Sequence, residues 1–160
     1  MRNVLLARVD DRLIHGEVVT SFIPYYHADH VMIVDDGVAH DKFNRRVLEM
    51  VAPKGVKLEI YTLEEGIEAL KRDPDPDEKM ILLTKTPITF EKIIDAGIDL
   101  KAVNIGGMGS RGNRKPFVRN CQADEEEVAS MKRMYARGID VYYRLVAEQG
   151  RIELKEQLGA

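Results

Sequence analysis

Five short apolar runs constrain this chain more than any other feature: "NVLLARV" (3–9), "HVMIV" (30–34), "VKLEIY" (56–61), "KMILLT" (79–84) and "KAVNI" (101–105). Each is rich in aliphatic and β-branched residues and too short for a buried helix, so each reads as a strand. The segments between them carry helical signals. Residues 16–26 place Val18, Val19, Phe22 and Ile23 on one face. Residues 41–52 gather Phe43, Val47, Leu48 and Val51 in the same way and stop at Pro53. "TLEE" (62–65) is a capping box: the threonine oxygen caps a backbone N–H while Glu65 reaches back. Thr86 and Pro87 read as N-cap and first helical residue, with Gly97 as the stop. Asp124, followed by Glu125, Glu126 and Glu127, puts negative charge where a helix dipole favours it, and Gly138 ends that helix. "IDVYYRLV" (139–146) reads as a last strand.

Strand and helix thus alternate in units of about 25 residues. Strands that are apolar almost throughout belong to sheets covered on both faces. The expected fold class is α/β: an open, mostly parallel twisted sheet with helices on both faces, and room for an antiparallel C-terminal strand at the edge. At 160 residues the chain is one domain, long enough to bury roughly two-thirds of its surface. "KRDPDPDEK" (71–79) sits between regular units and reads as a surface loop, and 149–160 as a polar tail that frays.

Charge and cysteine usage narrow the partners. The net charge of −3 gives no general reason to bind nucleic acid or an anionic membrane. A single cysteine, Cys121, forms no internal disulfide and suits a reducing compartment, as a buried or half-buried thiol. No apolar run approaches a membrane span, and no signal-peptide pattern opens the chain, so the expected location is the cytoplasm.

One stretch departs from the routine of the strands. In "ARVDDRLIHGEV" (7–18) an apolar strand runs into two acids, an arginine and a histidine, then a glycine that opens a helix. In open parallel sheets, ligands sit beyond the carboxyl ends of the strands. Asp10 to His15 lies at such an end. So do Asp35 and Asp36, Thr84 to Thr86, and "NIGGMGSRGNR" (104–114). Imidazole is partly uncharged near neutral pH and suits a general base, a metal ligand or a phosphoryl acceptor. An acceptor needs a carboxylate to orient its ring, donors for the phosphate oxygens, and an open site. Asp10 or Asp11 could orient His15. Arg12 and the free N–H groups where the Gly16 helix begins could hold phosphate. On spacing alone, a histidine at such a junction is more often a cap or a hydrogen-bonded surface residue, and Asp11 with Arg12 reads as readily as an ordinary ion pair.

"RVDDRLIHGEV" closely resembles the signature of the IIB subunit of the mannose/fructose/sorbose class of bacterial sugar phosphotransferase systems. The resemblance continues through "VMIVDDGVAHDKFNRRVLEMVAPKGVKLEIYTLEEG" (31–66), "VNIGGM" (103–108) and "ARGIDVYYRLV" (136–146), and so covers the chain to about residue 150. It implies that His15 accepts a phosphoryl group on Nδ1 from a phosphohistidine of a IIA protein. The group then passes to a mannose-, fructose- or sorbose-type sugar translocated by membrane IIC and IID subunits. The same resemblance implies a cytoplasmic protein peripherally associated with those subunits, and no metal or organic cofactor. Asp10 is assigned to ring orientation and Arg12 to phosphate binding. Arg8, Asp11, Gly16, Thr84, Thr86, Gly106, Gly107 and Arg111 are the further phosphate-loop or partner candidates. Self-association stays open. Two other functions remain: a regulatory phosphocarrier without a sugar acceptor, and a phosphometabolite- or nucleotide-binding module in which His15 and Arg12 only hold a ligand.

Two departures add negative charge near the expected phosphate. Family members commonly carry glutamine where this chain has Glu17, and often an asparagine–acid pair at Asp35-Asp36. "MGSRGNRK" (108–115) reads either as a basic docking surface, through Arg111, Arg114 and Lys115, or as a solvated loop. Gly106, Gly107, Gly109 and Gly112 do not spell a dinucleotide fingerprint and read as turn-makers. His27, His30 and His40, with Asp29, lack the spacing of a zinc site. Met131 and Met134 read as core contacts of the last long helix.

Overall fold

A computed structural model describes residues 1–159. The strands of the main sheet are β1 (Val4–Val9), β2 (His30–Val34), β3 (Lys57–Tyr61), β4 (Met80–Thr84), β5 (Ala102–Ile105), β8 (Asp140–Tyr143) and β9 (Ile152–Glu153). A separate hairpin is made by β6 (Lys115–Val118) and β7 (Cys121–Ala123). The helices are α1 (16–26), α2 (Asp36–Ala39), α3 (Lys42–Val51), α4 (Leu63–Lys71), α5 (Pro87–Asp95), α6 (Glu125–Ala136) and α7 (Lys155–Leu158). The first of these passes through a π-helical turn, Val18–Phe22, before its α-helical turn Ile23–Tyr26.

Strand order is β3-β2-β4-β1-β5-β8-β9. Neighbours from β3 to β8 are parallel, and β9 closes the edge antiparallel to β8. Side chains alternate across the sheet as the strand period requires. Ala7, Val9, Met32, Val34, Leu82, Val103 and Ile105 join one core with Leu70 of α4, Phe90 and Ile93 of α5, and Met131 and Met134 of α6. Leu6, Val31, Ile33, Ile81 and Leu83 join the other with Val18 and Phe22 of α1, Val38 of α2 and Leu48 of α3. The α/β expectation holds. β1 runs through the middle of the sheet, between β4 and β5. Crossovers leave β1 and β4 on opposite faces, through α1 and α5, which opens a crevice at the C-terminal end of β1.

Three local expectations are corrected. The antiparallel edge strand comes from Ile152–Glu153, while the 139–146 run forms the parallel β8 and ends at Tyr143. Residues 149–160 are accordingly no fraying tail as far as they are described: Leu154 and Leu158 are buried in the core beside α6. Two apolar anchors and one strand pair suffice to hold a polar segment, and composition averages them away. In α3 only Leu48 is buried, whereas Phe43, Val47 and Val51 face outward. The β6–β7 hairpin was not anticipated, because its turn carries Arg119 at φ 49 rather than a glycine. The capping boxes at Thr62 and Asp124, and the Thr86 cap, form as expected.

Candidate functional site

Arg8 on β1 and Asp10, the first residue past it, are two apart along an extended backbone and so project from the same face. Both are fully buried. Burying two charges is tolerated only when they are paired and hydrogen-bonded. The Arg8 guanidinium donates through Nη2 to Asp10 Oδ2 (3.1 Å) and to the Leu145 carbonyl (3.0 Å). Through Nη1 it donates to Asn104 Oδ1 (2.7 Å) and the Arg144 carbonyl (2.8 Å). Asn104 is its register neighbour on β5. The Phe22 ring of α1 lies 4.4 Å from the guanidinium carbon, and Arg8 Nε has no hydrogen-bond partner.

Close approach of these groups explains two glycines. A Cβ at Gly106 would stand 2.3 Å from Arg8 Cζ, and one at Gly107 would stand 2.8 Å from Asp10 Oδ1. Gly106 and Gly107 therefore wall in the Arg8–Asp10 pair, and their role is space, not backbone freedom. Gly16, by contrast, has nothing near its missing side chain.

From Asp10 the chain turns into α1. Leu13 N–H donates to the Asp10 carbonyl (2.9 Å), and Leu13 adopts φ 58 with its side chain buried beneath the loop. A left-handed leucine is strained and persists only where its surroundings hold it. Here burial of Leu13 and Ile14 in the α1 core does so. This turn brings His15 back over β1. Its Nε2 lies 3.0 Å from Asp10 Oδ2, and the Glu17 backbone N–H lies 3.4 Å from its Nδ1. A carboxylate only accepts and an amide only donates. The network thus assigns the hydrogen to Nε2 and leaves the Nδ1 lone pair facing the amide end of α1. The imidazole keeps 13% of its side-chain surface open to solvent.

Burial alone would raise the Asp10 pKa. The hydrogen bond with His15 and the charge of Arg8 outweigh it and pull the carboxyl down to about 2. Asp10 is therefore ionised throughout the physiological range. Its second oxygen accepts from the Arg12 backbone N–H (3.0 Å) and, at longer range, from Arg12 Nε (3.4 Å). The Arg12 side chain is half exposed, and its Nη2 reaches Glu17 Oε2 at 3.2 Å. The extra acid at position 17 is thus paired with the proposed phosphate-binding cation.

The other expected residues have different neighbours. Asp11 accepts from Gly109 N–H (2.8 Å) and from Arg114 Nη1 (2.8 Å), and its own N–H donates to the Gly107 carbonyl (2.7 Å), which ties the 107–114 loop to β1. Arg114 is buried, bridging Asp11 and Glu127, both of whose oxygens it engages at 2.8 Å. As a docking cation it is corrected: it is an internal strut. Burial would lower its pKa, but the two carboxylates raise it. Arg111 stays half exposed, 3.8 Å from Asp11. Thr84 is buried and donates to the Thr86 carbonyl (3.0 Å), while Thr86 donates to Glu127 (2.9 Å); neither hydroxyl is brought to His15. Asp35 caps α2 through Val38 N–H, and Asp36 accepts from Leu63 N–H at the start of α4, so those acids too are engaged elsewhere. Cys121 is buried, which pushes its thiol up to about 12 and leaves it unreactive.

Sequence reasoning missed Asn104 and the carbonyls of Arg144 and Leu145. That segment is tied to β5 by the Arg144 N–H, which donates to the Ile105 carbonyl (3.1 Å), and to α1 by Ser21 Oγ, which accepts from Ala147 N–H and donates to Glu148 (both 2.8 Å). An arginine inside the apolar run "VLLARV" was the available signal. A cleft of about 250 Å³ opens beside the loop, lined by Asp11, Arg12, Gly107, Asn120 and Tyr143 among others. Among the described residues, no helix is long and apolar enough to cross a membrane.

Residues 4–160 match the family described as "PTS system sorbose subfamily IIB component". The chain is 30% identical over 141 residues to the N-acetylgalactosamine-specific phosphotransferase enzyme IIB component 1 of Escherichia coli (strain K12), covering 88% of this chain and 89% of that relative. It is 30% identical over 154 residues to the mannose-specific EIIAB component of the same strain, covering 96% of this chain but 48% of that protein, so it spans about half the length of that relative. In structure it is similar to the IIBSor domain of the sorbose permease from Klebsiella pneumoniae, with a TM-score of 0.89, 27% identity, and 98% and 96% of the two chains covered.

Proposed function

The chain belongs to the sorbose-subfamily IIB components of the phosphotransferase system, and from that premise we propose that it is a phosphocarrier working through His15. The single observation that supports this most is the split between the two ring nitrogens: Nε2 is held by Asp10, and Nδ1 presents a lone pair toward a backbone N–H.

In this reading the donor is a phosphohistidine on a IIA protein. The Nδ1 lone pair of His15 attacks phosphorus, a new N–P bond forms, and the donor's N–P bond breaks with its electron pair returning to the donor imidazole. No proton has to leave His15. Its ring gains positive charge while Nε2 keeps its hydrogen against the Asp10 carboxylate, which is too acidic to take it. The Glu17 N–H and Arg12 face the oxygens of the transferred group. Arg12 is available because its ion pair with Glu17 is solvent-exposed, and such pairs are worth about 0–1 kcal/mol. The onward step reverses the first. A sugar hydroxyl attacks phosphorus and forms the O–P bond, and the N–P bond breaks with its electron pair returning to Nδ1. The hydroxyl proton passes to the released imidazole, which gives it up to solvent and returns to the neutral state. Positioning and charge carry the catalysis. The sugar is of mannose, fructose or sorbose type, presented by membrane IIC and IID subunits at the cytoplasmic face.

Incubation with phosphoenolpyruvate, the general phosphocarriers and a matching IIA tests this reading. The expected product carries acid-labile, alkali-stable phosphate on His15, and His15→Ala folds but takes no label. Label on another residue, or none on folded protein, overturns the assignment. Label that no sugar discharges favours the regulatory carrier, and ligand binding without label favours the binding module.

A further inference from the structure

The outward face of α3 is apolar and has no layer over it. Phe43 is 76% exposed, Val47 42%, Met50 81% and Val51 38%. These are four of the seven large apolar side chains exposed among the described residues, so the exposure is concentrated rather than scattered. Their spacing of i, i+4, i+7 and i+8 places them within one arc of about 100°. The stripe is not a core face turned the wrong way. The opposite side of the helix is anchored, by Leu48 in the core and by Arg45, which donates to the Ala39 (3.2 Å) and Ile60 (3.4 Å) carbonyls.

Charge says what covers this stripe. Lys42 and Arg46 are exposed along one side of it, and Lys54 and Lys57 are exposed just past its C-terminal end. Glu49 is the one exposed acid within the helix. A second copy fits poorly. Antiparallel pairing of two such helices about Val47 would set Arg46 beside both Arg46 and Glu49 of the other copy, so charge gives that pairing no net gain. The stripe also exposes on the order of 300–400 Å², about half of the ~800 Å² per partner typical of a stable complex. An apolar ridge with cations beside it is the chemistry of a helix that lies in a lipid–water interface. The net charge of −3 does not oppose this, because screening over about 8 Å lets the local cations decide.

We propose that α3 rests on an anionic membrane surface, with Phe43 and Met50 entering the headgroup boundary and Lys42, Arg46 and Lys54 meeting lipid phosphates. The contact is weak and reversible, since one short helix supplies it. It does not depend on the state of His15 or on the phosphocarrier reading.

Co-sedimentation of the whole chain with vesicles tests it, using phosphatidylcholine alone and phosphatidylcholine with about one-third phosphatidylglycerol. Binding is expected to the mixed vesicles and not to the neutral ones, falling about tenfold or more between low and high salt. The double variants Phe43→Ser/Met50→Ser and Lys42→Glu/Arg46→Glu are each expected to lower partitioning about tenfold or more, with circular dichroism and Tm unchanged because every site is exposed. Absence of binding to mixed vesicles, equal binding to neutral vesicles, or unaltered binding by both variants overturns the proposal. So does a dimer, seen by light scattering, that Phe43→Ser/Met50→Ser dissolves, since a second copy would then be the occupant.

Discussion

Arg8 and His15 share one carboxylate oxygen: Arg8 Nη2 and His15 Nε2 meet at Asp10 Oδ2, at 3.1 Å and 3.0 Å. A buried structural ion pair and an imidazole that keeps a narrow opening to solvent are thereby coupled. Whatever disturbs Arg8 reaches His15 through a single atom.

Asp10→Asn separates the two roles of that atom. The buried Arg8 loses its counter-charge, and breaking a buried pair costs about 3–5 kcal/mol. A loss of that size is expected in urea denaturation at neutral pH. Phosphoryl transfer from IIA is expected to slow by about a hundredfold or more, because the amide no longer favours the hydrogen on Nε2 or the charged ring. The wild-type contribution follows the depressed pKa. It is complete above the unfolded value of 3.8 and is lost as pH falls toward about 2. A variant of wild-type stability and rate would refute the coupling.

Gly106→Ala inserts a methyl group 2.3 Å from the Arg8 guanidinium carbon. The guanidinium is fixed by four hydrogen bonds and cannot give way easily. A destabilisation of roughly 1–3 kcal/mol or more is expected, as in overpacked cores. Gly16→Ala has open space and should change stability by less than about 1 kcal/mol, toward greater stability. Equilibrium unfolding of the two variants side by side gives the contrast.

Glu17→Gln removes a carboxylate two residues from His15 and frees Arg12 from its ion pair. The phosphorylated ring is then less repelled, and its half-life is expected to lengthen about 2–5-fold, the equivalent of up to about 1 kcal/mol. Decay of alkali-stable label on phosphorylated wild type and variant measures this. An unchanged half-life means that Glu17 does not act on the phosphoryl state.

His30 sits at the opposite end of the sheet between two acceptors, with Asp29 Oδ1 at 2.8 Å from Nδ1 and Asp75 Oδ2 at 3.1 Å from Nε2. Carboxylates only accept, so the ring makes both bonds only as an imidazolium. Burial lowers its pKa, but these two hydrogen bonds prevail and raise it above 6.5. With the folded value above the unfolded one, the stabilisation is complete below about pH 6.5 and disappears as pH rises through the folded pKa. The stability gap between wild type and His30→Ala is therefore expected to narrow as pH rises above about 6.5 and through the folded pKa. A gap that stays constant would show that the ring is held neutral.

Local sequence determined the elements that depend on neighbours in the chain. The five apolar runs became strands, and the Thr62, Thr86 and Asp124 caps formed, because a cap or a strand period is completed within a few residues. Local spacing put an acid within one turn of loop of His15 but left Asp10 and Asp11 both open; the structure sets Asp10 against the ring and ties Asp11 to Arg114. Contacts between distant segments were decided only by the tertiary structure. Position 114 carries the same basic residue type as position 111, yet Arg114 is buried between Asp11 and Glu127 while Arg111 faces solvent. Phe43 and Leu48 share a helix, but only the sheet's position decides which is covered. Gly106 and Gly107 looked like turn-makers until the Arg8 and Asp10 side chains were placed against them. In each case composition allowed several partners, and burial with its demand for a paired charge or a filled space selected one.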